Sequence, residues 1–194
     1  FLSLFGRCPE HEDPTEAAES DARKTRRWTF VLFDVLLSNG DRRLGDPRFF
    51  SKDELRTLVI VNPISGMGSA FDIYEKTVEP ALERADFDFD VLLTKRHFYA
   101  RDVMQCVNIH RWNALVVVSG DGVLNETLNG LYARPDWEQA LKRIADGIVP
   151  AGSGNSLAKS LMYYETKPLS TTLQASVDRI SRGRVQPMDL FVVE

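Results

Sequence analysis

Two glycine-rich turns carry the residues best suited to chemistry in this sequence. Ser119-Gly120-Asp121-Gly122 and Pro150-Ala151-Gly152-Ser153-Gly154-Asn155 each follow an apolar run and precede a helical pattern. A backbone that comes close to a phosphate needs residues without a Cβ, and a helix start offers unpaired N–H groups and a positive dipole end. The pair predicts a nucleotide phosphate site with the Asp121 carboxylate at its centre. An aspartate in such a place can also simply cap its helix. Capping needs one oxygen and no glycine clearance, so Gly120 and Gly122 favour the functional reading.

A third turn lies upstream, where Thr57-Leu58-Val59-Ile60-Val61 runs into Asn62-Pro63-Ile64-Ser65-Gly66-Met67-Gly68. It is not a Walker A loop, because GxxxxGK[ST] is absent and no lysine stands between Thr57 and Asp72. Gly66-x-Gly68 also lacks the third glycine of a dinucleotide fingerprint.

The elements that must position these turns follow from periodicity. Ala114-Leu115-Val116-Val117-Val118 reads as a strand buried on both faces, and Leu124, Leu128 and Leu131 then recur at helical spacing. Asp121 thus falls at the carboxyl end of a strand, where open α/β sheets bind ligands. From Thr57 the order strand, helix, strand, helix, strand, helix predicts an α/β fold with a parallel, doubly wound sheet and right-handed crossovers. The helix after Gly68 uses Tyr74, Val78, Ala81, Leu82 and Ala85 as its apolar stripe, and Pro80 should kink or restart it. Phe87, Phe89, Val91 and Leu93 alternate with Asp88 and Asp90, which predicts a strand near the sheet edge ending at Thr94. Leu157, Leu161 and Tyr164 predict a short helix, and Leu173, Val177 and Ile180 another that stops at Gly183. A new strand starts at Met188.

Composition fits a globular domain: 194 residues, 43% hydrophobic and 27% charged. The net charge of −4 argues against a nucleic-acid-coating protein, and the basic cluster Arg23-Lys24-Arg26-Arg27 follows an acidic stretch from Glu10 to Asp21. Residues 1–56 read as an N-terminal extension, an acidic arm followed by a strand at Trp28–Phe33 and a turn at Asn39-Gly40-Asp41, possible parts of a small β region. Only Cys8 and Cys106 are present, too few for a disulfide framework, and no apolar run approaches the ~18 residues of a membrane span, so a reducing, cytoplasmic setting is expected. Cys8 with His11 and Cys106 with His110 could be assembled into a zinc site, but the first pair lies in the polar arm, and no metal-ligating set is assigned. The chain begins with Phe, which suggests a fragment.

NPxxGxG at 62–68, SGDG at 119–122 with Glu126 beyond it, NGL at 129–131, RPDWE at 134–138 and PAGSGN at 150–155 resemble the sphingosine kinases, within the diacylglycerol-kinase-like lipid kinases. The resemblance spans about residues 57 to 190. Serine at position 119, where the diacylglycerol, ceramide and NAD kinases usually carry glycine, favours the sphingosine branch. The resemblance implies that residues 57–185 form the ATP-binding catalytic domain. Residues 186–194 would begin a β-rich lipid-binding domain whose amine-binding acid lies beyond Glu194. It implies transfer of the γ-phosphoryl group of ATP, with Mg²⁺, to the primary hydroxyl of a sphingoid base, in a protein recruited peripherally to membranes. The piece in hand would be inactive alone.

The residue roles implied are equally specific. Asp121 would be the catalytic base or would hold Mg²⁺ through water. Asn62, Pro63, Ile64, Ser65, Gly66, Gly68, Thr94, Glu126, Gly152, Ser153 and Gly154 would bind the nucleotide, and Ser119, Gly120, Asp121 and Gly122 the lipid substrate. Thr94 has a second reading as a strand-end hydroxyl or helix cap. Glu126 has one as a first-turn carboxylate that complements the helix dipole. Asn155 would fix its own turn through backbone hydrogen bonds. Related sphingosine kinases commonly carry lysine in the first glycine loop, whereas Met67 and Ser69 stand here. A ceramide or diacylglycerol kinase and a non-catalytic nucleotide-binding module are the competing readings.

Overall fold

The computed structural model describes residues 27–33, 56–163, 172–182 and 185–191. Its centre is a six-stranded sheet built from β1 (Arg27–Phe33), β2 (Arg56–Val61), β3 (Asp88–Leu93), β4 (Ala114–Ser119), β5 (Ala145–Pro150) and β6 (Val185–Phe191). The strand order is β3-β2-β4-β5-β1-β6. All neighbours are parallel except β6, which runs antiparallel to β1 with Trp28 opposite Leu190. The expected strand at 28–33 is therefore present, placed between β5 and β6, and the last strand begins at Val185 rather than Met188.

The strands are apolar because both faces are covered. Every residue of β4 is buried, as a central parallel strand requires. Val59, Val61, Val116, Val118 and Val149 pack against the helical stretch α1 (Ala70–Arg84) and the helix α6 (Thr172–Ser181). Leu58, Ile60, Leu115, Val117 and Ile148 face α2 (Tyr99–Cys106), α3 (Asp121–Tyr132), α4 (Trp137–Arg143) and α5 (Ser156–Tyr163). The doubly wound α/β arrangement is thus present.

Stretch α1 comprises Ala70–Ile73, a π turn at Tyr74–Val78 and Glu79–Arg84. The Glu79 N–H reaches back five residues to the Tyr74 carbonyl. That widening puts Pro80 in the first turn of a restarted helix, where its missing N–H leaves no bond unmade. In β3 the outcome differs from the alternation expected. Leu92 is buried while Val91 and Leu93 are each 40% exposed, because an edge strand with β2 as its only neighbour has its outer side half covered.

Residues before Arg27, the turn at Asn39-Gly40-Asp41, Tyr164 and Gly183 lie outside the described residues, as do Cys8 and His11. Among the described residues no helix is long and apolar enough to cross a membrane, and no group of three or more metal-ligating His, Cys, Asp or Glu occurs.

The chain leaves β2 over one face of the sheet to β3, then returns over the other face to β4 and onward to β5. The turns after β2 and β4 therefore leave neighbouring strands toward opposite faces. This reversal point is where doubly wound sheets open a ligand crevice.

Candidate active site

Three loops meet at the carboxyl ends of β2, β4 and β5. Loop A is residues 62–68, loop B is 119–122 and loop C is 150–156. Asn62 folds loop A: its Oδ1 accepts the Ile64 N–H at 3.3 Å and its carbonyl accepts the Ser65 N–H at 3.0 Å. Pro63 and Ile64 make the turn, and Ile64 is 82% exposed. Gly66, Met67 and Gly68 follow with φ of 59°, 62° and 87°, and the Met67 side chain projects fully into solvent. Left-handed backbone is strained for a residue with a Cβ, so flanking glycines are needed at this bend.

The glycines of the three loops divide into two kinds. A Cβ on Gly66 would meet the Ala151 carbonyl oxygen at 2.5 Å, and one on Gly152 would meet the Gly120 Cα at 2.4 Å. These positions are glycine because the loops pack backbone on backbone. A Cβ on Gly122 or Gly68 would meet nothing within 4 Å. Those two keep open space instead. Asn155, at φ 54°, clamps loop C as expected: its Oδ1 accepts the Gly152 N–H at 2.9 Å and its Nδ2 donates to the Gly152 carbonyl at 2.6 Å. Ser153 and Gly154 are exposed on the outer rim of this loop.

Asp121 opens α3, but it caps a different helix. Its Oδ2 accepts the Ser156 N–H at 2.7 Å and its Oδ1 the Leu157 N–H at 3.0 Å, both at the start of α5. Gly154 permits the approach, since a Cβ there would stand 3.3 Å from Oδ2. Partial burial pushes the carboxyl upward in pKa, and the N–H groups of Leu157 and Ser156 with the Ser156 hydroxyl outweigh it, leaving the pKa below the ordinary aspartate value. The group is a half-buried carboxylate, fixed in place and ionised at neutral pH.

Thr94 continues the sheet beyond β3, its N–H donating to the Val61 carbonyl at 2.9 Å. It does not cap a helix, because α2 starts at Tyr99 with Phe98 before it. Glu126 is not in the first turn of α3. It is the sixth residue, in the second turn, where the N-terminal dipole has faded. Its side chain is 12% exposed and its Oε1 lies 3.5 Å from Nδ1 of His97 in the β3–α2 loop. His97 had no signal in the sequence, because only the crossover brings that loop beside α3.

Residues 56–193 match the diacylglycerol kinase catalytic domain. The chain belongs to this family. It is 43% identical to human sphingosine kinase 1 over 120 residues, covering 62% of this chain and 31% of that protein. Identity to human sphingosine kinase 2 is 39% over 189 residues, covering 93% of this chain and 28% of that protein. The crystal structure of a diacylglycerol kinase from Bacillus anthracis superposes with a TM-score of 0.51 at 26% identity, covering 66% of this chain and 39% of that one. The chain thus spans about a third of the length of the curated relatives it matches, and the resemblance to the sphingosine kinases stands.

Two of the motifs singled out in the sequence have structural roles. In NGL, a Cβ on Gly130 would meet the Arg101 carbonyl oxygen at 2.4 Å and the Met104 Cβ at 2.6 Å, so glycine lets α3 lie against α2. In RPDWE, Arg134 Nη1 donates to the carbonyls of Met104, Gln105 and Val107 at 3.0, 3.1 and 2.8 Å. Those carbonyls at the end of α2 have no helical partners, and a cation suits that dipole end. The other side of the guanidinium holds Asp136 at 2.7 and 3.1 Å, and Arg134 keeps that carboxyl below its usual pKa. Trp137, whose ring is 5.1 Å from that of Tyr132, completes the clasp.

Proposed function

We propose that this chain is the nucleotide-binding part of an ATP-dependent lipid kinase that phosphorylates the primary hydroxyl of sphingosine or a close sphingoid base. The observation that carries the reading is the single fixed carboxylate of Asp121 where three glycine loops converge at the reversal point of the sheet. Similarity to sphingosine kinases over most of the chain supports the substrate class. In this reading residues 57–185 form the ATP lobe, with residues before 57 lending β1 to its sheet, and residues from 186 lead toward a lipid-binding domain.

Phosphoryl transfer asks a protein mainly for positioning and charge stabilisation, because its transition state is loose. The lipid hydroxyl oxygen attacks the γ-phosphorus, the bond to the β–γ bridging oxygen breaks, ADP leaves, and the hydroxyl proton passes to Asp121. A carboxylate with a lowered pKa is a weak base, which suffices when the proton moves late. The Asp121 carboxylate accepts the Ser156 and Leu157 N–H groups and the Ser156 hydroxyl, and its remaining acceptor capacity orients the substrate hydroxyl. The open space at Gly122 and Gly68 leaves room for substrate and phosphate, and Asn62, Pro63, Ile64, Ser65, Gly66, Thr94, Glu126, Gly152, Ser153 and Gly154 surround the nucleotide.

Mg²⁺ would neutralise charge on the β- and γ-phosphates. The residues fit such an ion held chiefly by phosphate and water, with Asp121, whose oxygens each accept a backbone N–H, reaching it through water. Peripheral contact with a membrane surface from a cytoplasmic location completes the proposal.

The test is transfer of labelled phosphate from Mg-ATP by the full-length protein to sphingosine, ceramide and diacylglycerol in parallel, with Asp121→Asn as control. Labelling of sphingosine alone, lost in the variant, is expected. Labelling of another lipid would overturn the substrate, and no labelling would favour a non-catalytic module.

A further inference from the structure

Ser119 joins all three loops. Its hydroxyl donates to the Ser65 hydroxyl at 3.1 Å, across 54 residues of sequence. Its carbonyl accepts the Ala151 N–H at 2.9 Å, and its side chain is buried while Ser65 is half-buried. The next residues are Gly120, which packs on Gly152, and Asp121, which caps α5. Loop A is folded at its start by Asn62, and the Ser119 hydroxyl ties it sideways to loop B. Its three successive residues of positive φ include Met67, and Ser69, the residue after the loop, donates its Oγ to the Gly66 carbonyl at 2.9 Å. With no lysine between Thr57 and Asp72, phosphate held by loop A must be held by neutral donors, its backbone N–H groups foremost. Such groups bind only when their directions are fixed.

We propose that the Ser65–Ser119 hydroxyl pair is a latch that fixes loop A in its nucleotide-binding conformation against the Asp121 turn, making both serines positioning residues for phosphoryl transfer. This rests on the reading of loop A as a nucleotide contact. It differs from the lipid-contact role that the resemblance implies for Ser119, and it gives Ser65 a task for its side chain. Removing the Ser65 hydroxyl strands a buried donor on Ser119, whereas removing that of Ser119 leaves a half-buried hydroxyl that water can reach. The first change is the more damaging.

The experiment measures affinity for a fluorescent ATP analogue, KM for ATP and for sphingosine, and thermal stability in full-length protein bearing Ser65→Ala, Ser119→Ala, both, and Ser65→Thr. Expected are nucleotide affinities weakened about five- to tenfold by Ser65→Ala and about threefold or more by Ser119→Ala. The double variant is no weaker than the worse single one, and the sphingosine KM is unmoved. Ser65→Thr, which keeps the hydroxyl, stays within about twofold of the parent. A latch of purely structural value would lower the melting temperature without moving nucleotide affinity, and that result overturns the proposal. So does a rise confined to the sphingosine KM in Ser119→Ala, which marks direct lipid contact, or multiplicative effects in the double variant. Because analogue binding needs no lipid, the expected affinity pattern in a protein that phosphorylates none of the lipids would uphold the latch and remove only the substrate reading.

Discussion

The Asp121 carboxylate and the Ser156 N–H, 35 residues apart in sequence, meet at 2.7 Å, so the residue with the strongest claim to chemistry also pins the helix behind loop C. One side chain therefore serves two functions, and substitutions at Asp121 affect both. Asp121→Asn keeps one acceptor and turns an NH₂ toward the other N–H. The expected loss is about 10²–10⁴ in kcat, as for removal of a general base, with a stability loss of only ~1 kcal/mol, the value of a cap. Measuring kcat, nucleotide affinity and melting temperature together separates the two. A kcat within about threefold of the parent would remove Asp121 from the chemistry.

The two kinds of glycine predict opposite outcomes. Gly152→Ala drives a Cβ into the Gly120 backbone, and is expected to lower the melting temperature and weaken nucleotide binding more than about tenfold, because loops B and C must part. Gly122→Ala meets nothing within 4 Å and lies in α3. It should leave the fold unchanged or more stable by up to ~1 kcal/mol, the helix preference of alanine over glycine. Its kcat/KM should nevertheless fall, because the new methyl occupies the space left for substrate. Thermal melts and kinetics on the pair decide the matter, and an active Gly122→Ala would show that the space is not used.

Asp146 gives the stability curve a pH slope. It is fully buried on β5, both its oxygens lack a hydrogen-bond partner, and burial pushes its pKa up to about 8. The folded state therefore keeps a proton that the unfolded chain releases near the ordinary aspartate value. Stability contributed by that proton is full below pH ~4 and drains as pH rises toward 8. Between pH 6 and 8 the parent should lose ~2 kcal/mol more than Asp146→Asn, read by urea unfolding at both pH values. Equal slopes would mean that Asp146 is ionised or paired in solution.

Asp121 has the opposite sign, since its folded pKa is lowered. Its contribution is present above the unfolded value and is lost as pH falls through the folded one. The acid limb of stability should therefore soften in Asp121→Asn, while the slope between pH 6 and 8 stays with Asp146. Urea midpoints from pH 2 to 8 in the two single variants test this separation.

Arg134→Ala should be among the costlier changes away from the site. It leaves three carbonyls at the end of α2 without their donor and Asp136 without its cation. A loss of about 2–4 kcal/mol is expected, from charge-assisted bonds to a largely buried guanidinium. Arg134→Lys should recover little, since one ammonium cannot span both partners. Near-parental nucleotide affinity in the folded fraction would confirm a role in packing, and a large affinity loss at unchanged stability would contradict it.

The strand runs, the loop positions and the parallel wound sheet were legible in the sequence because each depends on local pattern: five apolar residues, a glycine turn, then helical spacing. The edge position of β3 was legible from Asp88 and Asp90, and the helix restart from Pro80. Which glycines serve packing and which leave space was not legible, because Gly66, Gly120, Gly122 and Gly152 look alike until Ala151 and Gly120 are found against two of them. The second task of Asp121, the Ser65–Ser119 pair, the proximity of His97 to Glu126 and the clasp of Arg134 were likewise invisible. Each joins residues that are separated by 27 to 54 positions. Sequence spacing fixes neighbours along a strand or helix, whereas contacts between loops exist only once the crossovers have set the strand order.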